Sequence, residues 1–188
     1  MKNASDVNQN ADSINMTNVS FDYFLINFGH ATKEEKKEIL RKNQDKKVLM
    51  DLTCFDQNEF YSEFPNLVGT FSALFCDEEK KIEIYFKEKS EALVSKLQEL
   101  GFKPYEISFI SHGFVFPRTI VQIINEAYFA LEEEVASKED INRAMKFGVN
   151  YPKGPFEWSE GRENIVKTLL NELHTSTNDK RYIASKLI

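Results

Sequence analysis

FPRTIVQIINEAYFALEEEV, residues 116–135, is the stretch that decides the fold. Pro117 stands where the first turn of a helix tolerates proline. Ile120, Val121, Ile123, Ile124, Ala127, Tyr128 and Leu131 follow in a stripe too wide for a helix with one wet side. A helix from Pro117 to Val135 is therefore expected at the centre of a helical unit. Downstream, Ser137 opens SKEDINRAMKFG with Asp140 as a near capping box, and Gly148 closes it. YPKGPFEW, residues 151–158, reads as a turn with two prolines, and two more helices are expected over 163–174 and 179–188.

Upstream the rhythm is different. FDYFLIN (21–27) reads as a strand, TKEEKKEILRKN (32–43) as an amphipathic helix and KKVLMDLT (46–53) as an apolar strand. NEFYSEF follows as a short helix, then NLVGTFSALF and KKIEIYF as strands, SEALVSKLQELG as a helix closed by Gly101, and YEISFI as a last strand. Strands that are apolar on successive residues and joined by helices imply a sheet covered on both faces and mostly parallel. Residues 1–18, rich in Asn, Ser and Asp, hold little to bury and are expected to form a flexible polar tail.

Composition narrows the function. Of the 188 residues 41% are hydrophobic and 13% aromatic, which suits a folded protein, while the net charge of -6 leaves no basic footprint for nucleic acid. No apolar run is long enough for a membrane helix and no secretory leader is legible, so a cytoplasmic protein is expected. Cys54 and Cys76 lack any CxxC or Cys/His spacing, so neither a metal site nor a disulfide framework is expected.

From Gly113 to Trp158 the sequence resembles, nearly throughout, the C-terminal domain of the 3-hydroxyacyl-CoA dehydrogenase family. NEA, AMKFG and YPKGPFE stand in order and at the family's spacing. More weakly, FDYFLIN, KKVLMDLTCF, PNLVGTF, KKIEIYF and LQELGFKPYEISFISHGF are similar to the second half of the family's dinucleotide-binding domain. The resemblance implies a partial, truncated Rossmann-like α/β sheet over 19–112, followed by an all-α helical domain over 113–188. It also implies a homodimer through the helices of the second unit.

The family binds NAD, and a dinucleotide fingerprint needs closely spaced glycines at a helix start so that backbone N–H groups can approach the pyrophosphate. The seven glycines here are Gly29, Gly69, Gly101, Gly113, Gly148, Gly154 and Gly161, and no two are separated by one residue. No bound cofactor is therefore expected. By the same resemblance the family's general-base histidine falls on Phe71, the glutamate that orients it on Glu83, the asparagine that polarises the substrate on Pro117, and an active-site serine on Cys54. A phenyl ring cannot accept a proton. Against that assignment, Glu83 between Ile82 and Ile84 reads as an outward, solvated strand residue. Cys54 reads as a structural thiol, and His112 as a junction residue. In the family the loop Tyr151, Pro152, Gly154, Pro155 and Phe156 borders the substrate cleft, whereas its aromatic residues also suit simple packing.

Three functions are left in competition. One is a pseudoenzyme, a dimeric binding or regulatory protein linked to acyl-CoA metabolism that takes a CoA thioester. The second is an active 3-hydroxyacyl-CoA dehydrogenase whose NAD is supplied through a partner chain. The third is an interaction module of fatty-acid metabolism.

Overall fold

The computed structural model describes residues 18–21, 23–76 and 80–188. Nearly all of the polar tail expected over 1–18 lies outside them. Six strands, β1 (Asn18–Ser20), β2 (Phe24–Asn27), β3 (Lys47–Asp51), β4 (Leu67–Ser72), β5 (Lys81–Phe86) and β6 (Lys103–Glu106), lie side by side in chain order. Helix α1 (Lys33–Lys42) links β2 to β3, α2 (Gln57–Glu63) links β3 to β4, and α3 (Glu91–Glu99) links β5 to β6. Each of these three pairs is parallel. β4 and β5 are antiparallel, because the short connection between them cannot make a crossover. β1 is a strand that the sequence reading missed, and it pairs antiparallel with β2. The sheet is thus mixed, with three of its five pairings parallel, in keeping with the mostly parallel sheet expected.

Alternation along the strands splits the core in two. Leu25, Val48, Met50 and Leu67 face α1, α2 and the C-terminal helices, joining Leu40 and Phe60 to Val121, Ile124, Leu169 and Leu173 in one cluster. Ile26, Leu49, Val68, Ile82 and Ile84 face the other way, onto Leu93 and Leu97 of α3. At Gly69 the backbone of β4 is crowded: an added Cβ would meet Leu49 at 2.8 Å and Phe86 at 2.9 Å.

The helical unit begins with α4 (Phe116–Glu132), which has Pro117 in its first turn, and continues with α5 (Lys138–Gly148). Ser137 caps α5 by accepting the Asp140 N–H at 3.1 Å. YPKGPFEW is only partly a turn: Pro155 at the first helical position starts a short helix, α6 (Pro155–Ser159). α7 (Glu163–Thr177) ends at Asn178, whose φ of 53° breaks the helical path. The helix expected over 179–188 does not form beyond a single 3-10 turn at Lys180–Tyr182. The rest runs along α4, where Asn125 Nδ2 donates to the Ile183 carbonyl at 2.9 Å and Asn125 Oδ1 accepts the Ser185 N–H at 2.9 Å. Both backbone groups are offered sideways to a buried amide, which a helix would have kept for itself. Among the described residues no helix is long and apolar enough to cross a membrane.

Candidate functional site

Ligands of open α/β sheets bind beyond the carboxyl ends of parallel strands. Here that region holds a cavity of about 290 Å³. The turn after β2 contributes Gly29, His30 and Ala31, and the end of β3 contributes Asp51, Thr53 and Cys54. Lys36 of α1 lies on the sheet side, while Ile165, Thr168 and Glu172 of α7 close the cavity from the helical unit.

Asp51 is held rigidly. Its Oδ1 accepts the Thr53 N–H at 3.0 Å and the Thr53 hydroxyl at 2.6 Å, and its Oδ2 accepts the Ala73 N–H at 3.2 Å. Lys36 is 1% exposed, and its Nζ donates to Asn27 Oδ1 at 2.5 Å. Asn27 is braced from β1 by a 2.9 Å hydrogen bond to Asn18 Oδ1. Among the described residues Lys36 forms no ion pair; its one close partner is a neutral amide. Burial drives its pKa down to about 8, against the pull of Asp51. His30 stands at the mouth, where the desolvating walls lower its pKa while Asp51 opposes them. Burial pushes the Cys54 thiol up to about 12, which keeps it protonated and removes it as a nucleophile. His112 ties the loop after β3 to α7: Nε2 lies 3.3 Å from the Cys54 carbonyl and Nδ1 3.0 Å from the Ser176 hydroxyl.

The positions carried over by resemblance are scattered. Of the four, Cys54 alone reaches the cavity. Phe71 is fully buried in the second cluster, its ring 5.0 Å from that of Phe28, which in turn stacks on Phe102 at 5.2 Å. Pro117 is buried at the start of α4. Glu83 is half-buried, contrary to the expectation of an outward, solvated residue: its Oε2 accepts the N–H groups of Val115 and Phe116 at 2.9 and 3.0 Å. The carboxylate therefore caps α4, whose N-terminus lacks any side-chain cap of its own.

None of Tyr151, Pro152, Gly154, Pro155 and Phe156 lines the cavity. The Tyr151 ring lies 5.7 Å from Trp158 and the Phe156 ring 4.9 Å from Tyr128. Gly154 is pressed so closely on Asn142 that a Cβ would fall 2.2 Å from its Oδ1. Pro155 borders a second, apolar groove on the far side of α4, with Ile123, Ala127, Ile141 and Met145. Among the described residues no group of three His, Cys, Asp or Glu side chains could hold a metal ion.

Sequence reasoning missed Lys36, His30 and Asp51. One signal was available: Lys36 shares the inward stripe of α1 with Ile39 and Leu40, where a lysine is out of place.

Residues 113–188 match the family model described as 3-hydroxyacyl-CoA dehydrogenase, C-terminal domain. The chain is 42% identical over 78 residues to a 3-hydroxyadipyl-CoA dehydrogenase of Escherichia coli, which is 40% of this chain and 16% of that protein. It is 40% identical over 80 residues to a 3-hydroxybutyryl-CoA dehydrogenase of Clostridioides difficile, covering 42% of this chain and 28% of that protein. The alignments thus take in well under a third of either relative. The fold reaches further. A crystal structure of the (S)-3-hydroxybutyryl-CoA dehydrogenase of Ralstonia eutropha superposes with a TM-score of 0.71 at 21% identity, over 88% of this chain and 63% of that one. A 3-hydroxybutyryl-CoA dehydrogenase of Escherichia coli gives 0.66 at 22% identity, over 94% of this chain and 33% of that one.

Proposed function

Because residues 113–188 belong to the 3-hydroxyacyl-CoA dehydrogenase family as its C-terminal domain, we propose that the chain works in acyl-CoA metabolism as a dimeric binding or regulatory protein without NAD-dependent turnover of its own. The observation that carries this reading is the pair Phe71 and Glu83. At the position matched to the general base stands a ring sealed at 0% exposure in an aromatic cluster. Its matched partner carboxylate is occupied by two backbone N–H groups of the neighbouring unit. Both positions serve packing and capping, so neither is left to move a proton. The 188 residues also lack the glycine pattern that brings backbone donors to a pyrophosphate.

Ligand binding is assigned to the cavity between β2, β3 and α7, which is large enough for a short acyl group and polar on its sheet side. Dimerisation is assigned to the face of α4 and α5. No residue of α5 is buried in the single chain, and Gln122 Nε2 is enclosed there without a hydrogen-bond partner among the described residues. The test is a melting experiment with acetoacetyl-CoA and with NADH, followed by NADH absorbance with both present. A rise in Tm with the thioester alone and no NADH consumption supports the reading. Steady NADH consumption overturns it in favour of an active dehydrogenase.

A further inference from the structure

A buried ammonium is ordinarily matched by a carboxylate, since burying a charge against a neutral group leaves most of its lost hydration uncompensated. Lys36 departs from that pattern while lining a cavity. Its Nζ is held by the Asn27 amide oxygen at 2.5 Å, and the nearby Asp51 carboxylate is already taken by Thr53 and Ala73. Around it the cavity combines apolar side chains, Ala31, Phe55 and Ile165, with hydroxyls, Thr53 and Thr168. An amine in such surroundings gains reactivity in two ways: its neutral form is favoured, and surrounding walls shield an adduct from bulk water.

We propose that the Lys36 amine captures the carbonyl carbon of a small ketone or aldehyde as an imine inside this cavity. The nitrogen adds to the carbonyl carbon, the C=O bond opens to a hydroxyl, and the two amine protons leave with that oxygen as water while the C=N bond forms. No oxidant or reductant is consumed. The inference rests on the same cavity being the ligand site, but not on a CoA thioester being the ligand. Five other titratable groups line the space: His30, Lys33, Asp51, Cys54 and Glu172. Of these, Cys54 stays protonated below about 12 and Asp51 keeps its three donors, so neither competes for the carbonyl. Lys36 loses its proton near pH 8, so adduct formation rises as the pH approaches that value from below.

The test treats the full chain with acetoacetate or with uncharged butanone, traps any imine with borohydride, and maps the adduct by peptide mass spectrometry. The expected result is one dominant adduct on Lys36 that increases at least several-fold between neutral and mildly alkaline pH. K36R keeps the charge and cannot form the imine, so the dominant adduct is lost and only the background on exposed lysines remains. Mapping on the unaltered chain needs no variant: labelling spread evenly over surface lysines, or none at all, overturns the proposal. Because the probes carry no CoA, failure here leaves the acetoacetyl-CoA melting result to stand or fall by itself.

Discussion

Glu83 of β5 accepts the backbone N–H of Val115 at 2.9 Å, and the same oxygen takes that of Phe116. One carboxylate thereby joins the sheet to the first turn of α4 and satisfies two donors that the helix leaves open. Glu83→Ala is expected to cost about 1–2 kcal/mol, the usual worth of a helix cap with a charge at the positive end of the dipole. Glu83→Gln keeps an acceptor oxygen and loses the charge, so its cost falls between. Urea denaturation measures both; an alanine variant as stable as the parent would show that the cap carries no weight.

Phe71→His places a histidine where the family resemblance puts the general base, yet the position lies in the Phe28, Phe71 and Phe102 cluster. A buried imidazole there finds no partner, so a loss of roughly 2–4 kcal/mol is expected. No turnover with NADH and acetoacetyl-CoA should appear. A stable and active variant would contradict the account given of both Phe71 and the sheet.

Strands β2 to β5, α1 and α3 were legible because each carries its own signal: alternating or continuous apolar runs, the amphipathic spacing of α1, and a left-handed Gly101 closing α3, whereas the last strand, expected over 105–110, forms earlier, at Lys103–Glu106. What escaped was fixed by distant partners. The 179–188 segment has helical propensity, but the Asn125 amide and Glu132 carboxylate of α4 claim its backbone and the Ser185 hydroxyl. β1 contains three residues, fewer than periodicity can register, and exists through its pairing with β2. The cavity gathers residues from β2, α1, β3 and α7, so no local window holds its pattern. Glu83 alternates like a solvated strand residue, and only the return of the chain at Val115 gives it a partner.

His112 gives the fold a pH dependence. Burial lowers its pKa, so the unfolded chain, with a value near the usual 6.5, binds the proton more readily than the native one. Stability is therefore full above about pH 6.5 and declines as the pH falls below it toward the lowered native value. Denaturation midpoints at about pH 7.5 and about pH 5.5 should differ more for the parent than for His112→Gln. Equal differences would place the acid sensitivity elsewhere.

Lys36 works in the opposite pH range. With a native pKa of about 8 against 10.5 unfolded, the native state binds fewer protons between those values, so stability rises with pH across that window. Below it the buried ammonium costs on the order of 3 kcal/mol. Lys36→Met removes that cost but also the hydrogen bond to Asn27, so a net gain of about 1–2 kcal/mol at neutral pH is expected. The alkaline rise should vanish with it. A destabilised variant would mean that the bond to Asn27 outweighs the charge.

The last prediction concerns assembly. α5 packs on α6 yet buries none of its residues fully, and Phe147, Val149 and Val135 are 82%, 56% and 68% exposed. Between α4, α5 and the start of α6 runs the apolar groove of Ile123, Ala127, Ile141, Met145 and Pro155, with Gln122 enclosed and lacking an acceptor among the described residues. A face of this kind is stable in water when another surface covers it. An isologous pair does so economically, since each groove receives the same helices from the other copy around a two-fold axis. Sedimentation at micromolar concentration should give the mass of a dimer, and Met145→Glu should shift it to the monomer by placing a charge in the apolar centre. Met145 is only partly buried in the single chain, so the substitution leaves the monomer folded, which circular dichroism verifies. A monomer of 21.9 kDa for the unaltered chain rejects the dimer and leaves this face to a different partner.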